Sequence, residues 1–566
     1  MSSIYSIMDT AKWALLTHQK ALQVTSHNIA NVGTPGYTRQ ELILQTAMPV
    51  SSVPGQIGTG VRAVQVRRVY DRFLESQIAR ESQILGRWET REGALSQVSA
   101  IINEVPDTGL NARMSAFWAA WQEVANNPSG QSERVALRQS AQSLAERFNH
   151  IHSGLTDLRN QMDKSVLDGL DEVNLITSQI ADLNQEIASV EAKGEDANAL
   201  RDRRLQLLKD LSEMIDFNSF EDADGKVTVF AGGGRPLVMG DSSYRLQGAT
   251  NADGLYDVMW NDGKGNLSNI TSQIQEGKLG GWLEMRDSSI PQYLNEINTL
   301  ARSVIAEVNR LHSDGVGLTY HDSLTGSHMA DPAAALASAA SGLAFWDEIV
   351  EGNSFTITVY DTSTDSYTSS SITIDPGDTL TDLQQKIDAL AGVSATISNG
   401  QLTISADSGY QFLFSGDDSN VLMALGINTF FDGSDASDMA LSGAIDSDVT
   451  KIAAAMDYTS LPGDNRNALA IADIQFQALL AGGTATLGEY YGSFIGDVGH
   501  AESEAGRSAS HQSLFMDQLQ TRREQISGVS LDEEMTNLMK FQHAYDASAQ
   551  MIRVVDEMLE TVIGLV

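Results

Sequence analysis

The chain has 566 residues, enough for about four domains of ordinary size and several hydrophobic cores. Its 37 basic and 74 acidic side chains give a formal net charge of −37, which argues against binding nucleic acid or docking on an anionic membrane. Cysteine is absent, so disulfides, thiol nucleophiles, thiolate zinc sites and iron–sulfur clusters are excluded. No run of 18 apolar residues occurs, and Met1-Ser2-Ser3-Ile4-Tyr5-Ser6 lacks a basic and an apolar block. Neither a transmembrane helix nor a cleaved signal peptide is therefore expected.

The first predicted element is an amphipathic helix. Ile4, Met8, Ala11, Leu15, His18, Leu22, Thr25 and Ile29 are spaced by alternating fours and threes, a heptad seam with two polar interruptions. Asn28-Ile29-Ala30-Asn31-Val32-Gly33-Thr34-Pro35-Gly36-Tyr37 follows without a gap. Asn31 and Gly33 suit a helix end, and Pro35-Gly36 suit the centre of a type II turn. Taken by itself, this is a helix stop and a turn.

Residues 71–215 read as almost wholly helical. Val166, Val173, Ile180, Leu183, Ile187 and Val190 form one stripe. A turn at Gly194-Glu195-Asp196 leads to a returning helix marked by Leu200, Leu205, Leu208, Leu211 and Ile215. The period then changes to two. Lys226 to Phe230 and Leu255 to Trp260 read as strands, with hairpin turns at Asp224-Gly225, Asp253-Gly254 and Asp262-Gly263. Helix returns over 276–313, with Ile297, Leu300, Ile305 and Val308 in a stripe.

Residues 314–460 read as a second β-rich excursion. Phe355 to Tyr360, Ile372 to Ile374, Val393 to Ile397 and Gln401 to Ile404 are expected strands, and Thr379 to Leu390 a capped helix. This stretch holds 21 acidic residues against Lys386 and Lys451, so its surface is expected to be solvated and self-repelling. Residues 466–528 read as helical again. Ser530-Leu531-Asp532-Glu533 fits a capping box. It opens the seam Leu531, Glu534, Leu538, Phe541, Tyr545, Ser548, Ile552, Val555, Leu559 and Val562.

The expected fold is α+β and multidomain: a long-helix, coiled-coil-like stem formed by both chain ends, with two inserted β-rich domains. The expected segments are 1–70 (axial helix and hairpin), 71–216 (helical stem), 217–275 (β-rich insertion), 276–313 (returning helix), 314–460 (acidic outer insertion), 461–528 (helical stem) and 529–566 (axial helix).

Catalytic signatures are missing. No His is followed by Glu, which excludes the His-Glu-x-x-His zinc motif. His150 and His152 are two apart and face different ways on a helix. Ala231-Gly232-Gly233-Gly234-Arg235 lacks the Gly-Lys-Ser/Thr of a phosphate loop and reads as a turn. Asp222 to Gly225 and Asp432 to Asp438 lack the spacing of a calcium loop. No catalytic residue, metal site or cofactor is expected.

Asn28-Ile29-Ala30-Asn31 with Thr34-Pro35-Gly36-Tyr37 resembles the N-terminal signature of the bacterial flagellar axial proteins, the family of rod, hook and hook–filament junction proteins. Ser527 to Glu534, followed by Phe541-Gln542, Tyr545, Ala549-Gln550 and Ile552, resembles the matching C-terminal signature. The helical 71–215 block, Tyr37-Thr38-Arg39-Gln40 and Gly463 to Leu469 favour the junction members over rod and hook, and the length is too great for the usual second junction protein. Residues 372–404 resemble a small β-α-β insertion module of flagellins and hook-associated proteins.

The resemblance implies a non-enzymatic structural adaptor outside the cell, at the hook–filament junction, exported by the flagellar type III route without a cleaved signal. The implied partners are hook protein, the second junction protein, further copies in a ring-like helical layer, and an export chaperone on the C-terminal helix. Nucleic acid and membrane insertion are not among them. The resemblance makes Ile4, Met8, Ala11, Leu15, Leu22, Ile29, Leu531, Leu538, Phe541, Tyr545, Ile552, Val555, Leu559 and Val562 the expected subunit-interface residues. The expected motif turn is Asn28, Ala30, Asn31, Thr34, Pro35, Gly36 and Tyr37. Two alternatives stand beside this reading. One is a distal rod or hook protein. The other is a surface adhesin with 314–460 as its binding head, although no aromatic cluster in the sequence marks a pocket.

Overall fold

The computed structural model describes residues 2–52, 55–104 and 108–564. The fold is α+β, and the chain forms two compact units, each assembled from separated stretches. One comprises 1–93, 161–286 and 503–566; the other comprises 94–160 and 287–502.

In the first unit the N-terminal helix (Ser2–Ala30) is followed by an antiparallel hairpin, Gln40–Thr46 with Val61–Arg68. The long helix Gln131–Glu191 contributes its second half, and the helix Asn198–Met214 returns beside it. Their stripes meet the two sheets of the first β-rich insertion. Val166, Val173 and Ile180 pack with Leu211 and Met214, and with Val229, Val238 and Val258 from the strands. One sheet runs in the order Phe217–Glu221, Val227–Ala231, Arg235–Met239, Ser242–Ser243. The other runs Leu267–Asn269, Tyr256–Asn261, Leu246–Thr250.

The hairpin tips carry the predicted turn chemistry. Asp222 Oδ1 accepts the N–H groups of Asp224 and Lys226 while Gly225 takes φ +77°, a left-handed conformation that costs glycine least. Ala231 to Arg235 is the turn between two paired strands. Buried polar side chains pin sheet to helix. The Asn184 amide donates to the Val227 and Gly240 carbonyls and accepts from Val227 N–H and Arg204. Arg286, 1% exposed, pairs with Asp163 at 2.6 Å.

The second unit packs the helices Leu110–Asn126 and Ile290–Ser313, the first part of Gln131–Glu191 and the helix Arg466–Asp473 with the chain between 314 and 460. The expected outer insertion does not stand apart. Phe430 and Phe431 lie against Phe117 at 5.9 and 5.5 Å between ring centres, and Phe430 lies 5.1 Å from Trp121. Asn149 donates to the Ala436 and Met439 carbonyls. Asn309 bonds the backbone of Phe430 and Phe431. These aromatic and amide contacts join residues hundreds of positions apart, and no periodicity reveals them.

The strands of 354–415 form two three-stranded sheets. One is Ser366–Thr373, Ser354–Asp361, Tyr410–Ser415; the other is Ser323–Thr325, Gln401–Ala406, Val393–Ser398. The helix Leu380–Asp388 starts with the expected capping box, Thr379 exchanging bonds with Asp382. Two expectations fail here. Residues 466–528 are not continuous helix, because the chain turns over 477–486, where Ala481, Gly482 and Gly483 all have positive φ. The acidic surface is not wholly solvated either. Asp417 is 7% exposed, accepts the N–H groups of Ser419 and Leu422, and is pushed up to about 6 by burial.

Two buried histidines make this unit acid-sensitive. His312, fully buried, accepts Ala453 N–H at Nε2 and donates from Nδ1 to the Asn428 carbonyl. Its neighbour His321 lies 3.3 Å from the Asn428 amide oxygen. Burial pushes both down to about 4. The unfolded chain therefore binds more protons between about pH 4 and 6.5, so stability present above pH 6.5 is lost as pH falls through that window. Asp417 opposes this, because its folded carboxyl is raised and its cost is relieved on acidification. His312 alone is expected to account for about 2 kcal/mol between pH 7 and 4.5. Urea titrations of wild type and His312→Gln at both pH values measure this. Equal losses in the two proteins would remove His312 from the account.

Candidate assembly site

The two chain ends meet in the first unit. The N-terminal helix packs along the C-terminal helix (Leu531–Ile563), which is about 50 Å long at 1.5 Å per residue. Ala11, Thr25, Glu534, Ser548 and Val555 are buried in their seams. Ile4, Met8, Leu15, Leu22, Ile29, Leu538, Phe541, Tyr545, Ile552, Leu559 and Val562 are half-buried along the same faces. His18 stacks on Phe541 with ring centres 6.3 Å apart, and burial lowers its proton affinity. The seams therefore fill each other within one chain. Leu531, the first residue of the C-terminal helix, lies outside this intrachain seam and is 48% exposed. The expected capping box is half formed. Ser530 Oγ accepts Glu533 N–H, whereas the Glu533 carboxylate bonds Arg39 at 3.0 Å.

The motif turn is a clamp between the chain ends. The helix stops at Ala30, and Asn31 caps it by donating its side-chain amide to the His27 carbonyl. Thr34 Oγ1 donates to Asn31. Pro35 and Gly36 form the predicted type II turn: Gly36 takes φ +79° and Tyr37 N–H donates to the Thr34 carbonyl. The turn brings Tyr37 back onto Asn28, and Tyr37 OH donates to Asn28 Oδ1 at 2.7 Å. Burial first, then Asp202 and Glu534, raises the Tyr37 phenol well above its usual range, so it stays a donor. Asn28, 1% exposed, also accepts Gln40 N–H and donates to the Gln40 carbonyl and to Glu534 Oε2 at 3.1 Å. Arg39 Nε reaches the buried Glu534 at 3.1 Å. Thr38 N–H and Arg68 bond Asp202 on the returning helix. Ala30, Thr34 and Pro35 remain exposed beside this network.

Residues 95–328 match the family model described as the flagellar hook-associated protein FlgK helical domain. Residues 8–38 match the flagella basal body rod protein model, 523–565 the flagellar basal body rod FlgEFG protein C-terminal model, and 354–408 the flagellin hook IN motif. The whole chain is 29% identical to flagellar hook-associated protein 1 of Bacillus subtilis, over 99% of that relative. It is 26% identical to flagellar hook-associated protein 1 of Escherichia coli, over 99% of this chain and 100% of the relative. Over its full length the chain is similar to flagellar hook-associated protein 1.

A solved structure, the flagellar hook junction protein FlgK from Burkholderia pseudomallei, is 16% identical. It shares the fold with a TM-score of 0.55 over 80% of this chain and all of that one. The hook-associated protein 1 family is a structural one. In this chain the acidic loop 432–438 binds its own backbone: Asp438 accepts the N–H groups of Ser434 and Asp435, and Asp435 that of Ser437. Among the described residues, no group of three or more His, Asp or Glu is placed to hold a metal ion, and no helix is long and apolar enough to cross a membrane.

Two features escaped sequence reasoning. Glu534, Arg39 and Asp202 are central to the clamp, and the only signals were a charged residue at a seam position and the Arg within the motif. Tyr320, Tyr360, Tyr367 and Tyr458 form an aromatic cluster from three separated segments, Tyr360 and Tyr367 facing each other across one hairpin. Tyr367 stacks on Tyr360 at 4.8 Å and on Tyr458 at 4.4 Å. The rings cover each other beside Val316 and Leu413, so the cluster closes a sheet face rather than forming a pocket.

Proposed function

We propose that this chain is a structural adaptor of the flagellar hook–filament junction, held in the axial assembly by packing of its terminal helix pair against neighbouring subunits. The observation that carries this reading is the apolar outer surface of that pair. With the seams filled internally, Tyr5, Trp13 and Leu16 remain 40–54% exposed on one helix. Met535, Met539, Met551 and Met558 remain 47–52% exposed on the other. Exposed apolar stripes of this size mark interaction surfaces. The seam residues then hold the pair together, and the outward residues make the assembly contacts.

Hook protein on one side and the second hook-associated protein on the other fit such an adaptor as neighbours. Copies of the chain beside one another would make heterologous contacts that build a helical, ring-like layer. In the same reading the chain is exported without a cleaved signal, and a chaperone covers the C-terminal helix until then. The alternative of a rod or hook protein is disfavoured by the match of 95–328 to the hook-associated helical domain.

Two neighbouring substitutions test the division of labour. Leu538→Asp puts a charge in the seam and is expected to cost about 3 kcal/mol and motility. Met539→Asp leaves the seam intact. It is expected to keep wild-type helix content by circular dichroism while still abolishing motility. Wild-type motility in Met539→Asp would contradict the outward face as the assembly surface.

A further inference from the structure

Within the first unit, a cavity of about 130 Å³ opens between the start of the Arg72–Ile102 helix, the returning helix and the edge strand Phe217–Glu221. That is close to the roughly 150 Å³ that accepts one benzene-sized group in a protein interior. Its floor is apolar, made by Leu205, Leu208 and Phe217, and its rim carries Phe220, 56% exposed.

Its walls carry the opposite charge to the rest of the chain. Arg68, Arg72, Arg201, Arg204 and Lys209 line it, against Glu75 and Glu221. Most of these cations are committed. Arg204 and Arg201 bond Glu221 at 2.8 and 2.5 Å, and Lys209 bonds Glu75 at 3.1 Å. Burial lowers Arg204; Glu221 opposes that, and Arg201 and Arg68 add to it. Arg72 has the loosest hold, 3.4 Å from Glu221 with its side chain 66% exposed. Behind the walls Asp202 holds Arg68 and Glu191 holds Arg201, so five cations face four carboxylates and Arg72 is the one left loosely held; in a chain of net charge −37, which repels its own copies, that exposed guanidinium is where a neighbour's carboxylate gains.

We propose that this recess is a docking site for an acidic segment of a second copy of the chain, with an apolar side chain seated on Leu205, Leu208 and Phe217 and a carboxylate on Arg72. The inference rests on the assembly reading above and names a contact away from the terminal helices.

The test uses the full-length chain with photoreactive benzoylphenylalanine in place of Phe220, produced in motile cells. Assembled flagella are irradiated and the adducts sequenced by mass spectrometry. The expected result is a dimer-mass adduct joining position 220 to an Asp- or Glu-bearing peptide of another copy. Adding Arg72→Glu is expected to cut its yield on the order of tenfold. Both positions are exposed, so the fold should tolerate the changes, and circular dichroism checks this. Adducts only with other proteins, no adduct from chain present in the flagella, or a yield indifferent to Arg72→Glu would each overturn the inference and leave the junction role standing. Absence of the unsubstituted chain from assembled flagella would overturn the junction role and this inference with it.

Discussion

Asn28→Ala is expected to cost about 4 kcal/mol in the first unit and to abolish motility. The residue is buried and makes four hydrogen bonds, to Tyr37, to both backbone groups of Gln40 and to Glu534. Alanine takes one bond from each partner; Glu534 is the fully buried one, Tyr37 and Gln40 being half-buried, and an unsatisfied buried group costs roughly 1–3 kcal/mol. Glu534 suffers most, because it keeps a buried charge with Arg39 as its remaining side-chain partner. Asn28→Asp is expected to be at least as damaging. It keeps the acceptor but sets a second carboxylate where an amide now lies 3.1 Å from Glu534. Amide hydrogen exchange reports the effect locally: protection should fall in 2–30 and 531–563 and stay unchanged in 287–502. A loss under about 1 kcal/mol would mean that the motif turn is not what holds the chain ends together.

Arg134→Met is expected to cost the second unit about 3–4 kcal/mol. The Arg134 guanidinium is 1% exposed and, among the described residues, has no carboxylate bonded to it. It donates instead to the carbonyls of Pro128, Val449 and Ile452, at distances from 2.7 to 3.2 Å. Burial pulls it down to about 10, so it remains charged at neutral pH. Two effects compete on removal. Relief of a buried charge is favourable, while three carbonyl groups lose charge-assisted bonds worth about 1.5–3 kcal/mol each. The second effect wins. Arg134→Lys should rescue only part, because one ammonium cannot span both sides of the fork. Urea unfolding, with proteolysis between 443 and 452 as a local probe, checks both variants. Equal stability of wild type and Arg134→Met would show that water replaces the guanidinium.

Elements with a strong period were legible in the sequence. The stripe from Val166 to Ile187 and the one from Ile297 to Val308 lie in the core. The Pro35-Gly36 turn and the Thr379 cap have the predicted geometry, because turn and cap chemistry is local. Strands without alternation were harder. Tyr410–Ser415 is a nearly continuous apolar run between Gly409 and Gly416, with Phe412, Leu413 and Phe414 all buried. Long-range polar pairs were out of reach. Asn28 and Glu534 are 506 positions apart; alone, the first reads as part of a helix stop and the second as a polar seam position. The grouping of 94–160 with 287–502 had the same origin: Phe117, Trp121, Phe430 and Phe431 find one another only in three dimensions. The seams also show a limit of periodicity. It identifies the buried face of a helix and is silent on whether the partner helix belongs to the same chain.

Electron microscopy of cells lacking this chain tests the junction role most directly. The role predicts hooks of normal form that carry no filament, with unassembled flagellin shed into the medium. Filaments of normal length attached to those hooks would contradict it.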